Sequence, residues 1–171
     1  MKPGFWHRLD TIARCMVPAF SVFVLLLISL VPVGLPMVST VTPALTLMSV
    51  FYWSINRPDL LTALAAFIIG LVQDLLTGLP LGVSSLVLLI VQTLSANQGR
   101  FFQNKSFAVL WWAFALVALA ALLVQWLFTS ALIGALLPFK PLVTSYILTA
   151  ALFPLIAWVL TRVQNGLLQH V

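Results

Sequence analysis

The sequence predicts an all-α polytopic membrane protein with six transmembrane helices, and three observations carry that prediction. Hydrophobic residues make up 63% of the chain and charged residues only 6%, against roughly 25% charged in a soluble domain. The mean hydropathy is +1.17 at 18.7 kDa, more apolar surface than a protein of this size can bury from water. The basic residues, finally, fall at the ends of long apolar runs. These runs lack the roughly ten-residue alternation of outer-membrane barrel strands, so backbone groups in lipid must be satisfied within helices.

A span needs about 20 apolar residues. The chain opens on "MKPGFWHRLDTIAR", in which Phe5, Trp6, Leu9, Ile12 and Ala13 keep helical spacing while Lys2, Arg8, Asp10 and Arg14 fall elsewhere. That pattern predicts a short amphipathic helix on the cytoplasmic membrane surface over residues 1–14. The first span is predicted over 15–33 and is closed by Pro32, Gly34 and Pro36. A cleaved signal peptide is the competing reading of Met1–Thr40. Met16–Val31 is long for its apolar region and no A-x-A site follows, so a retained helix is expected. The remaining spans are predicted over 37–54, 59–77, 81–94, 107–133 and 142–160. The second carries Pro43 and several hydroxyls, the fourth is short, and the fifth is the longest.

Seven of the eight Lys and Arg residues then fall on one side. Lys2, Arg8 and Arg14 precede the first span, Arg57 lies between the second and third, Arg100 and Lys105 between the fourth and fifth, and Arg162 follows the sixth. Lys140 alone lies opposite. Because positive loops stay inside, both termini are expected in the cytoplasm of a bacterial inner membrane. The loops are too short to hold a folded unit, so residues 1–171 form a single membrane domain. The net charge of +5 is therefore a topology signal rather than a nucleic-acid footprint. A lone cysteine, Cys15, excludes an intrachain disulfide and a multi-cysteine metal site.

Chemistry-bearing residues are scarce. His7 and His170 are terminal, Asp59 stands at the opposite end of the third span and cannot pair with Asp74, and there is no phosphate-binding glycine loop. No enzyme activity, cofactor or metal is expected. The third span carries the signal that remains. Asn56 and Asp59 have cap spacing with Pro58 in the first turn. Gly78 is expected to end the helix in a left-handed cap, with Pro80 blocking continuation. Thr62, Ala66, Gly70, Asp74 and Gly78 lie four apart, forming a small-residue ridge that another helix can approach closely. Asp74 is costly there: it faces the negative end of its own helix dipole and lies within a span. The expected compensation is hydrogen bonding to hydroxyls at the same depth, among Ser84, Ser85, Thr129, Ser130, Thr144, Ser145 and Tyr146, with Lys140 within reach. The alternatives are docking of a partner protein and a proton or substrate site.

The segment "RPDLLTALAAFIIGLVQDLLTGLPLGVSSLVLLIVQTL", Arg57–Leu94, resembles the rod shape-determining MreD family. Arg57, Pro58 and Asp59 match its R-P-D start; Gly70, Leu71, Asp74, Gly78, Pro80, Leu81 and Gly82 match its G-L-x-x-D-x-x-x-G-x-P-L-G stretch. The resemblance implies a non-enzymatic subunit of the peptidoglycan elongation machinery. It also implies an MreC-like periplasmic scaffold as partner, with RodA-like and class B penicillin-binding proteins and MreB filaments in the same assembly. It further implies a fold similar to the substrate-binding subunits of energy-coupling-factor transporters, and hence an alternative function as a small-molecule-binding subunit. The first span lacks the A-x-x-x-A docking face of such subunits.

Overall fold

A computed structural model describes residues 5–30, 43–102 and 106–168. They form six helices: α1 (Phe5–Leu30), α2 (Leu45–Asn56), α3 (Ala63–Thr77), α4 (Val83–Phe102), α5 (Phe107–Ile133) and α6 (Lys140–Leu168). α2 is the axis of the bundle. Every residue from Leu45 to Ile55 is buried, and α1, α4, α5 and α6 all touch it. Its sequence, "LTLMSVFYWSIN", is apolar all round, as a helix without a solvent face must be. Its serine hydroxyls are absorbed locally: Ser49 donates to the Leu45 carbonyl at 2.9 Å and Ser54 to the Val50 carbonyl at 2.6 Å.

Two side chains fix α2 against the outer helices. The Trp53 indole donates to the Ser21 hydroxyl of α1 at 2.8 Å, and the Tyr52 hydroxyl meets Thr161 and Gln164 of α6 at 2.9 and 3.0 Å. Phe51 packs edge-on against Phe114 of α5 and Phe153 of α6, which stack on each other with centroids 4.0 Å apart.

The outward faces are apolar. In α5 only Phe114, Ala118, Ala121, Thr129 and Ser130 are buried, a narrow stripe on a helix of 27 residues. The rest of that helix presents side chains such as Leu116 and Leu127, and its length of about 40 Å exceeds the hydrocarbon thickness. Among the described residues two helices, Phe107–Ile133 and Lys140–Gln164, are long and apolar enough to cross a bilayer; Pro18–Leu30 and Ala63–Thr77 are shorter apolar helices.

The boundaries depart from expectation in every helix but α5. The amphipathic start and the first span join in one helix from Phe5, whereas residues 1–4 and 31–42, which hold the predicted end of the first span and start of the second, lie outside the described residues. α3 begins at Ala63, not at Asp59. The true cap is Thr62, whose side chain accepts the Ala65 amide at 3.3 Å. Asn56 instead ends α2 and donates to its own Tyr52 carbonyl, and Pro58 and Asp59 lie in the intervening turn. α4 runs on to Phe102 and α6 spans Lys140–Leu168, since polar ends can extend a helix beyond its apolar stretch.

Candidate functional site

The α3–α4 hairpin gathers five of the residues singled out in the sequence. α3 stops at Gly78, which adopts the left-handed conformation (φ 68°), a backbone that costs glycine nothing. Pro80 follows, and the chain turns again at Gly82, with φ 99°. Gly82 is the N-cap of α4: its carbonyl accepts the Leu86 amide at 2.9 Å.

Asp74 closes this turn. Its side chain is fully buried, and both carboxylate oxygens are engaged. Oδ2 accepts the Gly82 amide at 2.8 Å and Oδ1 accepts the Ser84 amide at 3.1 Å. These are among the amides that the first turn of a helix leaves without an internal partner. The carboxylate of α3 thus caps α4. It lies against the positive end of the α4 dipole, which offsets the unfavourable end of its own helix. The bond from Gly82, at 2.8 Å, has the short length of a charge-assisted one.

This corrects the expected partner set. No hydroxyl named above bonds to Asp74. Ser84 contributes its backbone amide, and its Oγ lies 3.4 Å from the Gln125 amide group. Ser85 Oγ is buried without a partner, Thr144 bonds to the Lys140 carbonyl, and Ser130 Oγ lies 3.5 Å from the Leu137 amide. Lys140 is exposed at the start of α6 and makes no ion pair with Asp74. The hairpin brings residues eight and ten positions on into contact with the acid.

The small-residue ridge is real where it is buried. Ala66, Gly70 and Asp74 are buried and the terminal members Thr62 and Gly78 are exposed. Gly70 is the tightest point: a Cβ there would lie 2.3 Å from Ser85 Cα and 2.6 Å from Ser85 N. The α3 and α4 backbones therefore touch one turn below the capped acid.

Arg57, Pro58 and Asp59 do not join this cluster. They lie at the other end of α3, facing the last turns of α4 across a polar pocket. Sequence reasoning missed Gly99 there. A Cβ on it would sit 2.9 Å from the Ile55 carbonyl oxygen, so α4 also approaches the end of α2 closely. A glycine inside a helix, beside Ala96, was the available sign.

A second cavity, of about 500 Å³, opens between the helices beside the capped hairpin. Its polar lining includes Thr46, Gln73, Gln125, Thr129 and Ser145, and Gln73 Oε1 is buried without a hydrogen-bond partner. It offers neutral donors and acceptors and no carboxylate. Among the described residues no three His, Cys, Asp or Glu side chains come together.

The model of the rod shape-determining protein MreD family matches residues 10–163. The chain belongs to that family. Both the R-P-D turn and the capped hairpin fall within the match, and family membership places the chain at a membrane and in the determination of rod shape. No curated protein and no solved structure matches.

Proposed function

We propose that this chain is a non-enzymatic, six-span subunit of the inner membrane that holds the peptidoglycan elongation complex together, with both termini in the cytoplasm. Its direct partner is an MreC-like scaffold, and RodA-like and class B penicillin-binding proteins and MreB filaments belong to the same assembly. The observation that carries this reading is the capped hairpin. A charge buried within a span is usually paired or functional. This one is spent wholly on fixing the geometry of a turn. Both its oxygens accept helix amides, and it has no exposed surface with which to attract a partner directly. Around the fixed turn Leu75, Leu76 and Leu81 are exposed. The hairpin is a rigid apolar tip, and Asp74 is a positioning residue behind it.

The test is co-purification of the tagged full chain from detergent extracts of a rod-shaped host, alongside complementation of a strain depleted of its own family member. Recovery of the MreC-like protein and restoration of rods are expected from the wild type. Asp74→Leu should lose both while the chain remains inserted. Rods restored without any MreC-like protein bound would overturn the scaffold reading.

The cavity beside Gln73 favours one other reading, a small-molecule-binding subunit of a vitamin-type transporter. Its polar lining converges as such a site requires. Mass spectrometry of the purified chain separates the two: a stoichiometric organic ligand of a few hundred daltons supports transport, and a protein partner supports scaffolding.

A further inference from the structure

At the opposite end of α3 from Asp74, the turn after α2 and the last turns of α4 enclose a polar pocket of about 650 Å³, lined among others by Asn56, Arg57, Asp59, Asn97 and Gly99. Arg57 and Asp59 are both exposed. Although they line the same pocket two residues apart, they form no ion pair with each other or with any described residue. Each is free to meet an opposite charge on a ligand.

The pocket also has an apolar approach. On the outward face of α4, Leu86, Ile90 and Leu94 are exposed and follow one another at four-residue spacing, so they form a continuous stripe. Asn97 is exposed, lies three residues beyond Leu94, and lines the pocket. The stripe therefore ends at the pocket's edge. On α3, Leu64, Phe67 and Ile68 are exposed as well.

We infer that this pocket holds the headgroup of a zwitterionic aminophospholipid, with the phosphodiester on Arg57, the primary ammonium on Asp59 and an acyl chain along Leu94, Ile90 and Leu86. The charges select this class. A net-anionic headgroup such as phosphatidylglycerol gains Arg57 but is opposed by Asp59. A choline headgroup carries no N–H to donate to the carboxylate. Free phosphate meets the same opposition and leaves the apolar stripe unused. Guanidinium recognition of a phosphate is geometrically specific, whereas a scattered basic patch would attract any anionic lipid. The inference concerns the chain alone and needs none of the partners proposed above.

The test is native mass spectrometry of the purified full chain, titrated separately with phosphatidylethanolamine, phosphatidylcholine and phosphatidylglycerol of identical acyl chains. Phosphatidylethanolamine should be retained best. Arg57→Gln should lower its retention about tenfold, the loss of one charge-assisted hydrogen bond, and Arg57→Lys should lower it less. Asp59→Asn should reverse the preference, retaining phosphatidylglycerol above phosphatidylethanolamine. Both positions are exposed, and unchanged melting of the variants checks that the fold persists. Equal retention of the three lipids, or an unaltered order in Asp59→Asn, would overturn the assignment. Displacement of the lipid by inorganic phosphate at equal concentration would overturn it in favour of a soluble anion, and recovery of a peptide in place of lipid would overturn it in favour of a protein ligand.

Discussion

Replacing Asp74 with Asn is the sharpest test of the capped hairpin. With the hydroxyl partners expected from the sequence, a structural Asp74 would make Asn nearly silent, because Asn keeps the shape and an acceptor oxygen. The structure predicts otherwise. Both partners of Asp74 are backbone amides, at 2.8 and 3.1 Å, and amides can only donate. A carboxamide has one acceptor oxygen, and its NH2 group only donates. Whichever way it is turned, one buried amide of the α4 N-terminus loses its acceptor, costing about 1–3 kcal/mol. Loss of the charge at the helix end adds about 0.3–1 kcal/mol, rising to ~2 in a partly buried setting. Relief of carboxylate desolvation trims the sum, leaving roughly 1–4 kcal/mol for Asn. Leu strands both amides and should cost roughly 3–6 kcal/mol. The assay is hydrogen exchange in detergent, read on peptides covering Leu75–Ile90, with α5 peptides as internal reference. Asn should speed exchange at the Gly82 and Ser84 amides about tenfold or more, since ~1.4 kcal/mol is a factor of ten. Leu should speed it further, and α5 should be unchanged. Wild-type protection in Asp74→Asn, or protection in Asp74→Leu equal to wild type, would refute the cap.

Other outcomes follow from the same geometry. Gly70→Ala should destabilise by about 1–3 kcal/mol through overpacking, despite a helix-propensity gain of about 0.5–1 kcal/mol, because its Cβ would meet Ser85 Cα at 2.3 Å; a higher melting temperature would contradict the close approach. Gly78→Asn and Gly82→Asn should separate: Asn tolerates the left-handed region near φ 68° at Gly78 but not φ 99° at Gly82, so the second should melt lower although neither Cβ meets anything within 4 Å. In a Cys15→Ala background, cysteines near Leu79 and Lys140 should label from the periplasm with impermeant reagents and those near Asn56, Asn104 and Gln169 should not; periplasmic labelling at Gln169 would mean an odd number of spans.

How far the sequence could be read depended on what each residue opposes. The bounds of α5 were legible to the residue, Phe107–Ile133, because Ser106 and Gly134 punctuate an unbroken apolar run. The stop at Gly78 was legible for the same reason. The start of α3 was misplaced because two chemistries compete over six residues. Asn56, Pro58 and Asp59 have the composition of a helix start, yet the chain uses them in a turn and caps with Thr62. The central place of α2 was hidden for a deeper reason. In a bilayer an apolar residue satisfies lipid and protein interior equally, so hydrophobicity does not tell an axial helix from a peripheral one. Its serines were the better sign, since a hydroxyl on a lipid-facing surface gains nothing.

Asp74 shows the same limit in its electrostatic form. Counted along its own helix, the acid sits at the wrong end of a dipole. Counted through the turn, it sits at the right end of the next one. Two helix ends of opposite sign meet in a hairpin, and a carboxylate one turn before the first end lies beside the second when the loop is short enough to fold back. Here the two left-handed glycines make the loop that short. The sign of the interaction thus depends on the turn, and the turn in turn depends on the acid to hold its amides. That mutual dependence explains why Gly78, Gly82 and Asp74 work as one unit. It also explains how a membrane protein can carry a buried charge: the charge fixes the shape of an apolar tip that the bilayer alone would leave free to fray.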